Sequence, residues 1–262
     1  MPVPTNALTY NDYVTQVATM AVVNTQTVGG IVESTDAAFN EIIPQMLNYA
    51  ELRIQRDIDF LQSGALQTTA LAAGTKYLTY SSADFKTIDT VNIVSTNTSS
   101  YEVLSTLIPT TKEFAQNVYP STAVTTNWGT PKYFYLFGDL GSQDNINLFI
   151  VPQPSTSCYV QTIGTSWLDS LYKYSDTSLN ASTATTYISA YLPDLLILAS
   201  MIYISAYQRN FGRQSDDPAM AQSYEAQYKT LLPAANNAEE QKRFQASAWS
   251  SSSVPSSATP TR

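Results

Sequence analysis

Histidine is absent from this 262-residue sequence, and Cys158 is its one cysteine. Without histidine there is no Ser-His-Asp or Cys-His catalytic pairing and no zinc site of the Cys/His kind. A lone thiol excludes a disulfide framework within the chain. Cys158 lies in the alternating run Cys158-Tyr159-Val160-Gln161-Thr162-Ile163, where a buried structural thiol is expected. Charge is scarce: Asp, Glu, Lys and Arg make up 13% of residues, about half the usual share. Thirteen basic against 21 acidic residues leave a net charge of −8, with no Lys/Arg cluster. Phosphate binding depends on such clusters through counterion release, so specific nucleic-acid binding is not expected. Long hydrophobic runs are missing as well. The longest apolar segment, Leu192 to Tyr207, is broken by Pro193, Asp194, Ser200 and Ser205. It is too short and too polar to span a bilayer. Met1-Pro2-Val3-Pro4-Thr5-Asn6 has neither the basic nor the apolar region of a signal peptide. The expectation is a soluble product made in a cytoplasm, with no membrane partner.

What remains is apolar residues at 44%, enough for a real core, on a surface of uncharged polar residues. Such a surface suits contact with other protein, although Ser, Thr, Asn and Gln also solvate a surface without any partner. Two helical regions flank a strand-rich middle. A first helix is expected from Asn11, as its cap, to Val22, with Tyr13, Val14, Val17, Met20 and Ala21 as its apolar stripe. A loop follows at Gly29-Gly30. Ser34-Thr35-Asp36 offers a cap for a short helix, and Pro44 marks a kink or restart. Ile43, Met46, Leu47, Ala50, Ile54, Ile58 and Leu61 define the buried face of a second helix, which Gly64 stops. Its opposite side carries Glu51, Arg53, Arg56, Asp57 and Asp59.

From Leu66 to Thr165 the period becomes two, with β-branched and aromatic residues between turn signals. Strands are expected at Leu66–Leu71, Lys76–Tyr80, Thr87–Val94, Tyr101–Ser105, Pro131–Phe137, Ile146–Val151 and Cys158–Gly164. Thr110 to Val118 fits a turn or two of helix. Gly138-Asp139 and Asp144-Asn145 bracket a loop of an antiparallel hairpin. Helical spacing returns from Ile188 to Asn210, with Pro193 in the first turn. Asp216-Asp217-Pro218 opens a further helix that Pro233 kinks or ends, with Ala234 to Trp249 continuing helical. The expected fold class is α+β: a helical bundle of N- and C-terminal helices with an inserted antiparallel β-sandwich or barrel. Expected bounds are 1–64 for the N-terminal helices, 65–170 for the β module, 171–187 for a loop, 188–249 for the C-terminal helices and 250–262 for a Ser/Pro-rich arm.

Four segments carry a resemblance. Ile42-Ile43-Pro44 followed by Tyr49-Ala50-Glu51-Leu52-Arg53-Ile54-Gln55-Arg56-Asp57-Ile58-Asp59 is the first. The second is Ala73-Gly74-Thr75-Lys76-Tyr77-Leu78 with Ala83-Asp84-Phe85-Lys86-Thr87-Ile88. The third is Trp128-Gly129-Thr130-Pro131-Lys132-Tyr133-Phe134, closed by Ile150-Val151-Pro152-Gln153-Pro154. The fourth is Thr185-Thr186-Tyr187-Ile188-Ser189 with Leu192-Pro193-Asp194-Leu195-Leu196-Ile197-Leu198-Ala199. In this order, over about residues 8 to 232, they resemble the head-to-tail adaptors of short-tailed phages, the tail tubular protein A or gp4-like tail accessory factors. Ser81 and Ser82 stand where that family commonly has a proline, and Leu171 to Ala184 is longer than its pattern. The resemblance implies a virion neck protein forming a homo-oligomeric, usually dodecameric ring between portal and tail tube or nozzle. Genomic DNA passes through such a ring without specific binding. It implies no cofactor, no metal and no reaction.

Under that resemblance, Glu51, Arg53, Arg56, Asp57 and Asp59 are candidates for contact between neighbouring subunits, since a ring joins one patch to a different one. The alternative is that Arg53 and Asp57, four apart, pair on a solvated helix face. A paired-carboxylate hydrolase is disfavoured, because Asp57 and Asp59 at i and i+2 do not face each other. Trp249, Val254 and Arg262 are candidates on a C-terminal arm that orders against portal or neighbour. Trp128, Tyr133, Phe134, Tyr135 and Phe137 suit a partner or carbohydrate platform, or the core and padding of a sheet. An acidic channel wall would give DNA nothing to adhere to. The competing function is another virion protein, a fibre or decoration protein binding capsid or glycan. Helices at both ends of the chain weigh against it.

Overall fold

The computed structural model describes residues 7–95, 102–120, 128–138, 145–175, 181–210 and 219–251. The protein is mixed helix and sheet, of the α+β class. The chain divides into two compact units. One combines Met1–Gln62 with Leu168–Arg262, and the other is Ser63–Trp167.

The first unit holds α1 (Tyr10–Met20), β1 (Thr25–Val28), β2 (Ile31–Ser34), α2 (Ala37–Asp57), a 3-10 turn (Leu171–Tyr174), α4 (Tyr187–Tyr191), α5 (Pro193–Asn210) and α6 (Ala219–Ser251). Thr9, not Asn11, caps α1. Its hydroxyl accepts from the Asp12 amide, and the Asp12 carboxylate accepts from the Thr9 amide, a reciprocal capping box. Asn11 serves the adjacent hairpin instead: its side chain donates to Gly30 O (2.9 Å) and accepts from Val32 N (3.0 Å). That hairpin is β1 with β2, where the sequence suggested only a loop. Gly29 and Gly30 have φ of 60° and 90°. Positive φ at both turn residues is the requirement of a two-residue hairpin turn that suits strand twist.

Asp36 caps α2 by accepting from Ala38 N and Phe39 N. The helix runs through Pro44, which corrects the restart among the two readings, kink or restart, that the sequence offered. Burial of Phe39, Ile43, Met46, Leu47, Ala50 and Ile54 along one face outweighs the one hydrogen bond that Pro44 omits. The helix ends at Asp57, seven residues before Gly64, which instead opens a strand. Pro193 is the first residue of α5, as its missing N–H favours. Pro233 lies within the continuous α6 and does not end it. The Asp216-Asp217-Pro218 start signal lies outside the described residues. Helices α1, α2 and α5 share one core through Tyr13, Val17, Leu47, Ile54, Leu196 and Ile204, and α6 adds Tyr228 and Ala235.

The second unit contains β3 (Gly64–Leu71), β4 (Tyr77–Ser81), β5 (Thr87–Val94), β6 (Val103–Thr106), β7 (Ile108–Pro109), α3 (Lys112–Val118), β8 (Tyr133–Gly138), β9 (Asn145–Val151) and β10 (Cys158–Thr165). They form two four-stranded sheets, ordered β3-β10-β5-β6 and β4-β9-β8-β7. Every pairing is antiparallel except β7 with β8. Leu71, Val91, Ile93 and Val160 of one sheet share a core with Tyr80, Phe134, Leu148 and Ile150 of the other. The Tyr80 hydroxyl meets Thr162 Oγ1 at 2.9 Å inside it, joining the two layers. At Gly164 the register against β5 shifts. A Cβ there would lie 2.0 Å from Thr87 O, so only glycine fits the bulge. Cys158 is half-buried, and burial raises its thiol pKa, as suits a structural thiol.

Candidate functional site

Among the described residues no three His, Cys, Asp or Glu side chains gather as metal ligands, and no helix is long and apolar enough to cross a membrane. Of the polar residues that the sequence singles out, Glu51, Arg53, Arg56 and Asp57 sit on α2 and Asp59 just beyond its end, and the structure pairs most of them within the chain.

Glu51 is the clearest departure. The sequence places it on the polar side of α2, yet it is only 2% exposed. Its two oxygens accept from the Ser170 hydroxyl (2.5 Å) and the Leu171 amide (2.8 Å). One turn later, Gln55 accepts from the Leu168 amide at 2.8 Å. Glu51 and Gln55, at i and i+4, thus hold the stretch 168–171 just where the chain re-enters the helical unit. Burial raises the Glu51 carboxyl to about 7, against the lowering influence of the two hydrogen bonds it accepts. The sequence could not show this, because the partner segment is more than a hundred residues away. The only local signal was Glu51 standing next to Ala50, on the edge of the apolar stripe.

Arg53 and Asp57 of α2 bind α6. Arg53 donates to Glu225 at 2.8 Å, stands 3.8 Å from Asp57, and lies over the Tyr228 ring at 4.5 Å. Tyr228 donates its hydroxyl to Asp57 at 2.8 Å. The hydrogen bond to Glu225 raises the Arg53 pKa further above its ordinary value, and the same bond lowers that of Glu225. Burial, reinforced by the Asp57 carboxylate, raises the Tyr228 phenol. Beyond the helix end, Asp59 pairs with Arg243 at 2.5 Å. The i,i+4 pairing of Arg53 with Asp57 is present, but as part of a wider interhelical network. Arg56 is exposed, and its Nε donates to its own helix at Leu52 O (3.2 Å).

A second, deeper cluster lies along α6. Glu239 is buried and accepts from the Tyr187 hydroxyl (2.8 Å), from the Leu61 amide (3.4 Å) and from Lys242. Lys242 also donates to the Tyr187 oxygen at 2.6 Å. Burial works to lower the Lys242 pKa, but its bonds to Glu239 and Tyr187 outweigh that and leave it raised. Sequence reasoning missed this cluster, since Tyr187, Glu239 and Lys242 form no local motif. Trp249 lies in the last turns of α6; Val254 and Arg262 lie outside the described residues.

In the β unit, the motif segments converge. Gly74 has φ +75°, and a Cβ there would lie 2.4 Å from the Trp128 ring. The Gly74 amide donates to Pro154 O (2.9 Å), and the Gly129 amide to Gln153 O (2.8 Å). Gly74, Trp128-Gly129 and Pro152-Gln153-Pro154, far apart in sequence, are one structural joint. The aromatic row is divided between core and sheet surface: Phe134 is in the core, while Tyr135 stacks on Phe149 of the next strand (4.8 Å) and Tyr133 meets Phe114 of α3. A cleft of about 250 Å³ lies beside that padding, lined by Lys76, Gln116, Tyr119, Tyr135 and Phe149 among others.

Two polar networks of intrachain pairs and a sandwich locked by glycine joints describe a scaffold. No curated protein matches the sequence. The family model described as SU10 adaptor protein matches residues 8–254, a span that includes both units. The chain therefore belongs to the SU10 adaptor protein family, a family of phage structural adaptors.

Proposed function

We propose that the protein forms a dodecameric ring between the portal and the tail or nozzle of a phage particle, with the genome passing through its centre. The observation that carries this reading is the family match across nearly the whole chain. The architecture agrees with it. A subunit that stands in a ring needs a rigid body, and the α2–α6 pairs and the Glu51 clamp supply rigidity rather than reactivity. The low charge content leaves wide uncharged surface for neighbours, and the net charge of −8 offers passing DNA no phosphate contacts.

Within the ring, the proposed contact residues are Arg56 and Asp59 on the outer side of the α2 end, with Trp249, Val254 and Arg262 of the C-terminal arm. Glu51, Arg53 and Asp57 act behind them by fixing the helices that present the surface. The test is reconstitution: the purified chain is mixed with purified portal assemblies and the product weighed by native mass spectrometry. Twelve added copies per portal, lost on Arg56→Glu, are expected. Absence of any portal-bound species would refute the reading.

A further inference from the structure

The cleft of the β unit beside α3 collects polar side chains that the chain itself leaves without partners. Strand register builds its aromatic side: Tyr135, Phe149 and Tyr77 stand opposite one another across β8, β9 and β4. Tyr135 and Phe149 stack with their planes 3° apart, and Tyr77 meets Phe149 at 5.1 Å. Gln116, Tyr119, Lys76 and Gln153 bring polar groups to the same cleft. The backbone fixes the last two. Lys76 O accepts from the Ile150 amide (3.0 Å), and Gln153 O from the Gly129 amide of the glycine joint.

Gln153 is the most telling of these residues. It is only 9% exposed, yet its side-chain amide makes no hydrogen bond among the described residues and reaches solvent where it lines the cleft. Buried amides are normally satisfied, so one held open toward a cleft is matched to something that enters it. The Gln116 amide also has no partner among the described residues. Neither has the Lys76 ammonium, and no acidic residue lines the cleft. In a chain of net charge −8, this leaves one uncompensated cation beside two free amides and a stacked aromatic pair.

We propose that this cleft binds a single sugar ring carrying a carboxylate, a uronic acid. The carboxylate pairs with Lys76. Sugar hydroxyls both donate and accept, which matches amides that each offer two donors and an acceptor. The apolar C–H face of the ring packs on the aromatic side. A volume of about 250 Å³ lies below the roughly 300–1,000 Å³ of clefts for drug-sized ligands, which suits one ring. A neutral sugar leaves Lys76 unpaired, and an acidic peptide side chain satisfies Lys76 but not the two amides. The inference stands on the cleft alone and does not depend on the neck reading.

Nuclear magnetic resonance titration of the full chain with sodium D-glucuronate tests this. Saturable binding is expected, with a Kd on the order of 1 mM for a ligand of this size, and with shifts concentrated at Gln116, Tyr135 and Gln153. Lys76→Gln should weaken glucuronate by about threefold to fivefold, the worth of an exposed ion pair, and leave the weaker binding of D-glucose unchanged. Gln116→Ala, at an exposed helix position, should weaken both sugars. Thermal melting of each variant confirms that it is folded. Glucuronate binding no tighter than sodium acetate would show a lysine meeting any carboxylate and overturn the proposal. Tighter binding of N-acetylglutamate amide than of glucuronate would assign the cleft to an acidic peptide and overturn it too. The absence of any saturable shift is equally decisive against it.

Discussion

Replacing Glu51 with glutamine should remove a specific pH dependence from the stability of the helical unit. The carboxyl ordinarily titrates at 4.5, but in the folded chain burial raises it to about 7. Between those two values the folded state holds a proton that the unfolded state releases, so stability falls as pH rises through this window. Below about 4.5 the carboxyl is neutral in both states and contributes no penalty. Above about 7 the folded chain carries a buried carboxylate with only the Ser170 hydroxyl and the Leu171 amide to solvate it. At about 1.4 kcal/mol per pKa unit, the full penalty is about 3 kcal/mol. Glutamine keeps an oxygen for the Leu171 amide and never ionises. Urea unfolding of both proteins, followed at 222 nm from pH 4.5 to 8.5, gives the comparison. The stability of Glu51→Gln relative to the parent should rise by about 3 kcal/mol across that range. Parallel pH profiles for the two proteins would show that burial does not raise the Glu51 carboxyl in the folded chain.

Other substitutions probe the remaining joints. The Arg53–Glu225 pair is partly exposed, so a double-mutant cycle with alanine at both positions should give a coupling of only about 0.5–1 kcal/mol, reduced further in high salt. Gly74→Ala should destabilise the β unit by about 2 kcal/mol or more, because the new methyl meets Trp128 and the positive φ is strained; thermal melting with tryptophan emission reads it. Tyr80→Phe removes one buried hydroxyl pairing with Thr162 and should cost about 1 kcal/mol in urea unfolding. Pro233→Ala restores a helical amide and should raise the melting temperature of the helical unit, read by calorimetry; an unchanged or lower value would contradict this.

The sequence revealed most where one period dominates. Thr87–Val94 appears as a strand with its expected ends, and the buried face of α2 from Ile43 to Ile54 follows the stripe at steps of three and four. It was less legible where punctuation was ambiguous. Pro44 read as a kink or restart and Pro233 as a kink or end, yet each lies inside a helix that continues past it. Gly29-Gly30 read as a loop because the strands on either side have only four residues each. Of the candidate contact residues, the α2 set was found as a group but its orientation was not. Glu51 turns inward because Ser170 and Leu171, brought back by the fold, supply donors that no local pattern announces. Tyr187, Glu239 and Lys242 stayed hidden for the same reason.

Electron cryo-microscopy of the neck in intact particles tests the central claim most directly. Twelve copies in a closed ring, with the portal on one side, the tail on the other and an open axial channel, are predicted. Copies spread over the capsid surface, borne on fibres, or arranged without a common axis would contradict it.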